Sequence, residues 1–459
     1  MQSTRFRKMI KSAPVTTTRA LRRSVAILLT LGALTHLVGL SSPRQVVFDE
    51  VTFGKFVQAY CCTGERFFDI HPPIGKLLIA AAAKLGGLSS SFQFETIGQS
   101  YGTEPVWALR LVPALMGTLI PLIFFWFLRE LKASPQIALL GGVLVAFDNG
   151  LVTEGRYLLI DTVLIAATLA TIACFLTALR HGGRWYWLVG TGALAGLAVG
   201  TKVTGLVAPG LIGLCLLFGL GIVRGPWSSR ITQGLIVAAT AAAIYVGGWA
   251  IHWALLPNPG PGDAFYETTG QMLPDIARAQ KAMLSANLSL TATHPDASAP
   301  WTWPLMKVAP YFWQGDGASI YMVGNPLVWW GSSVLFFGVL IQLVLMRPLG
   351  TKLQPPVRRE PRIWLPLAGF GLSFLPLLGV TRVLFLYHYL TPLLFSLAFV
   401  LLWLDRSGWL EPGRPRQRTA YMAIIAVAAI AFLAISPLTY GFSVGGYDEW
   451  LASFIRSWR

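Results

Sequence analysis

The run Phe48-Asp49-Glu50-Val51-Thr52-Phe53-Gly54-Lys55-Phe56 sets two carboxylates side by side, just past the first long apolar segment at 24–41. An ionisable group near a bilayer is costly, which makes these acids a candidate functional site. A solvated loop start is the bland alternative. Three isolated cations stand at the same depth: Arg110 in the first turns of the next apolar segment, Lys202 within Gly200-Thr201-Lys202-Val203-Thr204-Gly205, and Arg382 at the mouth of a later one. A carboxylate with cations on one face suits transfer of a sugar from a phosphate leaving group. The acid removes the acceptor's proton and the cations hold the departing phosphate. On this reading Asp49, with Glu50 beside it, is catalytic, while Arg110, Lys202 and Arg382 bind the donor phosphate. Each cation taken alone could instead snorkel to the interface. Three on the leaflet of the acid pair make that less attractive.

Other residues stay open between chemistry and structure. Arg156 and Asp161 are five positions apart and point roughly 140° away from each other on a regular helix. Each is therefore expected to pair with a charge on another helix. His71, before Pro72-Pro73, and His388, between Tyr387 and Tyr389, are each either a proton carrier or a hydrogen-bonded structural residue. Trp301, Trp303, Trp313, Trp329 and Trp330 read as an interfacial belt or a sugar platform. A two-carboxylate cluster can bind a divalent cation weakly, but no oxygen-ligand loop of recognised spacing accompanies it, so no metal site is expected.

What must position these residues is a membrane bundle. The 459 residues are 54% hydrophobic with mean hydropathy +0.59, and repeated apolar runs place the chain among all-α polytopic membrane proteins. The net charge of +16 is no sign of a nucleic-acid partner. Of 36 Lys and Arg, 22 fall in the N-terminal tail and five short loops, which hold only four of the 20 acids. This is the positive-inside pattern. Hydropathy gives about eleven spans, each of roughly 20 residues: 24–41, 106–128, 135–150, 157–179, 185–201, 203–222, 231–254, 326–346, 363–380, 385–404 and 419–437. The expected organisation is a basic cytoplasmic tail (1–23), a transmembrane domain (24–437) and an outer tail (438–459). Residues 24–40 read as a retained signal anchor. Outer loop 1 covers 42–105, with a helix after Pro72-Pro73. Outer loop 2 covers 255–325, with an amphipathic helix over Asp263 to Leu288 lying on the bilayer. Cys61 and Cys62 are expected as free thiols in preference to a strained vicinal disulfide, Cys174 and Cys215 as packing residues.

The runs around Asp49-Glu50 and Phe68-Asp69-Ile70-His71-Pro72-Pro73-Ile74-Gly75-Lys76 resemble the signature of the protein O-mannosyltransferase family. So do Gly200 to Leu206, His294-Pro295 with Trp301-Thr302-Trp303-Pro304-Leu305, Gly324-Asn325-Pro326 with Trp329-Trp330, and Tyr387-His388-Tyr389-Leu390. The matches occur in family order along nearly the whole chain. The resemblance implies a GT-C glycosyltransferase fold with eleven spans, a polyprenyl-phosphate mannose donor, and inverting transfer to Ser or Thr of secreted or membrane proteins. It places the base at Asp49 and the donor phosphate near Arg110 and Lys202. His71, Arg156, Asp161, His294, Trp303, Asn325, Tyr387 and His388 stand as substrate or structural support. No cofactor is required on this reading. The Sec translocon is an expected partner, membrane lipids surround the chain, and the active site faces outward from a bacterial inner membrane. The second outer loop is too short for the β-trefoil domain of eukaryotic members, which implies a bacterial type. The departures, Asp296 after His294-Pro295 and Asn287 where a histidine is usual, fall on the acceptor side. Two other readings are a GT-C enzyme acting on a lipid headgroup or glycan, and a lipid-linked-sugar transporter. The transporter reading predicts internal repeats and midplane charges, which the sequence does not display.

Overall fold

A computed structural model describes residues 15–266, 268–289, 292–345, 361–410 and 414–458. The basic run 346–360 and the first half of the N-terminal tail lie outside them. The first helix, α1 (Val15–Leu37), leads to loop 1 (42–105), which holds α2 (Glu50–Gln58) and α3 (Ile74–Gly86). Next come α4 (Val106–Glu130), α5 (Pro135–Ala146), α6 (Asn149–Arg156), α7 (Asp161–Arg180), α8 (Trp185–Val199), α9 (Val207–Phe218) and α10 (Trp227–Leu255). Loop 2 (255–325) contributes α11 (Met272–Ser289) and a hairpin of β1 (Tyr311–Gly315) and β2 (Ala318–Tyr321). The chain closes with α12 (Ser332–Leu345), α13 (Trp364–Phe374), α14 (Leu390–Ser407), α15 (Pro415–Tyr440) and α16 (Tyr447–Ser457).

This is a multi-pass membrane protein. Seven described helical segments are long and apolar enough to cross a bilayer, and α5 with α6, bent by 58°, forms up to an eighth. The other three expected spans are shorter apolar helices over 185–199, 203–218 and 327–343. The helix α7 is apolar all round, and 94% of its most apolar window is buried inside the protein, whereas only 17% of that of α10 is. One therefore forms the centre of the bundle and the other faces lipid. The α5–α6 bend is pinned by Asp148, which caps α6 by accepting from the Leu151 N–H and also accepts from the Asn325 N–H and Trp329 Nε1. Asn325 donates its amide to the carbonyls of Phe147 and Ala428. It is a structural tie.

Three expectations change. The amphipathic helix of loop 2 begins at Met272, and a hairpin follows the aromatic run. Asp316 and Gly317, both with positive φ, form the two-residue turn that matches strand twist. The C-terminal tail contains α16, and the rings of Tyr447, Trp450, Phe454 and Trp458 form a ladder along one side. Cys61 and Cys62 form a vicinal disulfide inside a single π-turn (Ala59–Thr63) and are not free thiols. Cys174 and Cys215 are buried and free, as expected.

Candidate active site

The floor of the site is the turn that launches α2. Phe48 has φ +47°, a costly conformation for a bulky residue. It is held there because its N–H donates to the Phe312 carbonyl (2.9 Å) and its ring stacks on Phe312 at 4.2 Å. Glu50 then points inward. It is fully buried and accepts from Arg110 Nε (2.7 Å) and Nη2 (2.9 Å), the Tyr101 hydroxyl, and the Val47 and Leu158 N–H groups. The remaining Arg110 N–H bonds go to the carbonyls of Leu40, Pro43 and Gln45. All five guanidinium donors are thereby committed. Two expectations are corrected. Glu50 is a positioning residue and not a catalytic one. Arg110, fully buried, has no donor left for a phosphate and instead bolts loop 1 (42–105) to α4.

Asp49 is the opposite case. Its backbone carbonyl opens α2 by accepting from Thr52 and Phe53, but its half-buried carboxylate makes no hydrogen bond among the described residues. Burial raises its carboxyl to about 6. Lys202 pulls the other way, while Asp161 and Asp69 push it further up.

Lys202 sits in an extended stretch between α8 and α9. The break is enforced by close approach. A side chain at Gly200 would meet Ile74 Cδ1 at 2.3 Å, and one at Gly205 would meet the Ala198 backbone at 2.4 Å. The Ile74 N–H donates to the Gly200 carbonyl (2.7 Å), tying α3 to the break. Lys202 Nζ donates to both Asp161 oxygens (2.8 and 2.7 Å) and stands 5.5 Å from the Tyr387 ring centre. Asp161 thus finds its charge on another element, as expected. Arg156 does not: its guanidinium donates to the carbonyls of Thr35, His36, Val38 and Gly39 at the end of α1 and lies 4.5 Å from the Tyr440 ring. It caps a helix.

Arg382 is half-buried without a salt bridge among the described residues and acts electrostatically on His71, His388 and Tyr387. The His71 ring stacks loosely on Phe53 (6.5 Å), and burial, with Lys202, Lys76 and Arg382 adding to it, keeps the imidazole neutral. His388 is held at Phe385 and sandwiched between Trp303 and Tyr387. Trp303, fully buried, donates to Ser298 Oγ, and His294 Nδ1 accepts from the Asp296 N–H. Trp303 packs against His388 at 6.1 Å, whereas His294 is exposed and meets Phe385 edge-on at 5.1 Å. Asp49, Lys202, Asp161, Tyr387, His71, His388 and Arg382 form one electrostatic cluster, whereas Arg110 interacts with Glu50, Tyr101 and Tyr157.

Sequence reasoning missed three members. Lys76, fully buried, pairs with Asp69 and donates to the carbonyls of His71 and Pro72. Glu154, 1% exposed, keeps Oε1 without a partner and acts electrostatically on Asp161, Lys202 and Asp49. His252 bridges two phenols, Tyr60 at 2.6 Å and Tyr266. Only the Asp69 to Lys76 pair had a signal, a lone acid and lone lysine flanking a proline turn.

An open carboxylate in loop 1, within a bundle of long and broken helices, fits the GT-C fold, and two solved structures share that fold. The S. cerevisiae Pmt1-Pmt2 complex bound to the sugar donor superposes with TM-score 0.82 at 19% identity over 96% of this chain and 92% of that one. ArnT from Cupriavidus metallidurans bound to undecaprenyl phosphate gives 0.54 at 16% over 96% and 68%. Residues 26–255 match the family model for dolichyl-phosphate-mannose-protein mannosyltransferase, and 272–458 that for the C-terminal four-span region of protein O-mannosyltransferase. The chain belongs to the protein O-mannosyltransferase family. It is 34% identical over 285 residues to protein O-mannosyltransferase 1 of Drosophila melanogaster, 58% of this chain and 32% of that one. It is 36% identical over 244 residues to mannosyltransferase 4 of Saccharomyces cerevisiae, 49% of this chain and 32% of that one. The matched region spans about a third of the length of these relatives.

Proposed function

We propose that this protein transfers mannose from a polyprenyl phosphate to Ser or Thr hydroxyls of translocated proteins, with inversion. The observation that carries this reading is the Asp49 carboxylate, which the fold leaves open beside Lys202 while it locks Glu50 away. Asp49 takes the hydroxyl proton as the oxygen bonds to the sugar's anomeric carbon. The carbon–oxygen bond to the phosphate breaks on the opposite face, and the polyprenyl phosphate departs with that electron pair against Arg382 and Lys202. Positive-inside loops support an outward-facing site in a bacterial inner membrane, with the N-terminal tail cytoplasmic and the Sec translocon as the source of acceptors. No cofactor enters the scheme. Among the described residues no group of His, Cys, Asp and Glu is arranged to hold a metal.

Purified protein given polyprenyl-phosphate mannose and a Thr-containing peptide should form mannosyl-peptide, with or without chelator. Because only ionised Asp49 can accept the proton, and burial raises its pKa to about 6, turnover should climb as pH rises through about 6. A carboxylate with an ordinary value would give a rate already flat there. Absence of mannosyl-peptide would remove the proposal.

Arg382→Ala should weaken donor binding by about 1.5–3 kcal/mol, the worth of one charge-assisted contact, with acceptor KM unchanged. Titration of donor in the two proteins measures this, and equal affinities would leave Lys202 as the phosphate ligand without Arg382.

A further inference from the structure

Beside the Asp49 cluster lies a cleft with about 530 Å³ of empty space, part of it open to solvent. It lies between outer loop 1, the outer end of α10, and α11 with the segment leading into it. Its walls are aromatic, with Tyr60, Phe68, Trp249, Trp253, Phe265 and Tyr266 among them. Asp69 and His71 line it as well, and both belong to the electrostatic neighbourhood of the catalytic residues. The cleft therefore abuts the place where the acceptor oxygen has to arrive.

It is not built for a phosphate. Lys76 is committed to Asp69 and two carbonyls, and Arg278 stands against Asp275. An anion would find no available ammonium or guanidinium group in its lining, which includes neither Arg382 nor Lys202. Nor is it placed for a polyprenyl chain, since outer loops and an outer helix make most of its wall. The loops are fastened to each other: the Arg66 N–H donates to the Asn258 carbonyl, the Gly262 N–H to that of Arg66, and the Arg66 side chain pairs with Asp263 at 2.7 Å. The frame is thus set before a ligand arrives. Aromatic faces with a few polar edges suit an apolar side chain carried on a polar chain.

Resting on the function proposed above, we infer that this cleft takes an apolar side chain of the acceptor polypeptide close to the modified Ser or Thr, and so sets acceptor preference. Ala279 and Ala282 on α11 line it and take no part in the chemistry. Thr peptides flanked by Gly, Ala, Leu or Trp should be assayed with wild type, Ala282→Trp and Ala279→Trp. Wild type should favour Leu and Trp flanks through KM. Filling the cleft should raise KM for the Leu-flanked peptide about tenfold or more. Donor KM and turnover of the Gly-flanked peptide should not move, which also shows that the variants fold. Wild-type indifference to the flank, retention of the preference in both filled variants, or an equal loss for every peptide and for donor would overturn the inference. Failure of wild type to modify any peptide would instead overturn the function on which it rests.

Discussion

Asp49→Asn is expected to cut mannosyl transfer by about 10²–10⁴-fold, the usual worth of a positioned general base. Donor affinity and thermal stability should stay near wild type. The amide is nearly isosteric, and the wild-type carboxylate holds no hydrogen bond among the described residues whose loss would unsettle the fold. The variant should also lose the rise in rate near pH 6, because the group that titrates has gone. Single-turnover transfer with saturating donor is the deciding measurement. Turnover close to wild type would mean that another group removes the proton, and the buried, unpartnered Glu154 would become the first candidate.

Arg110→Ala is expected to act on folding and not on the donor. It leaves the Glu50 carboxylate fully buried with no counter-charge, a defect that typically costs about 3–5 kcal/mol. It also strands the carbonyls of Leu40, Pro43 and Gln45. The variant should be recovered in low yield with a sharply lowered Tm in detergent, and the fraction that folds should bind donor as wild type does. Glu50→Gln should be milder, since its amide oxygen still accepts a hydrogen bond and the guanidinium left without a counter-charge keeps the carbonyls of Leu40, Pro43 and Gln45. An Arg110→Ala protein with unchanged Tm and weakened donor binding would return this arginine to the phosphate.

These two residues show how far the sequence could be read. The acid pair was visible as a rare charge at a membrane boundary. Adjacent residues at a helix start diverge by roughly 100°, so one acid had to turn away from the cleft. Spacing alone does not say which one, because the choice is made by the left-handed turn at Phe48 and by an arginine sixty positions on. The broken segment around Lys202 was legible because its glycines mark close backbone approach, and a partner for Asp161 on another element was expected. Arg156 was misread because a guanidinium can be satisfied by the bare carbonyls of a helix end as well as by an acid. The Asp316-Gly317 turn carried the strongest local hairpin signal in loop 2 and was masked by the surrounding tryptophans. The cleft beside α11 had no signature, since its walls come from three separated stretches.

Ile74 deserves a last consequence. Its side chain fills the space that side chains at Gly200 and Gly248 would need, at 2.3 and 2.4 Å, while its amide holds the Gly200 carbonyl. Three positions on three helices thus act as one joint between the helix beside the cleft and the strand-like segment carrying Lys202. Substitutions there should be strongly epistatic. A larger residue at either glycine is tolerable only with a smaller one at 74, and in descendants of this chain the three sites should drift together or not at all.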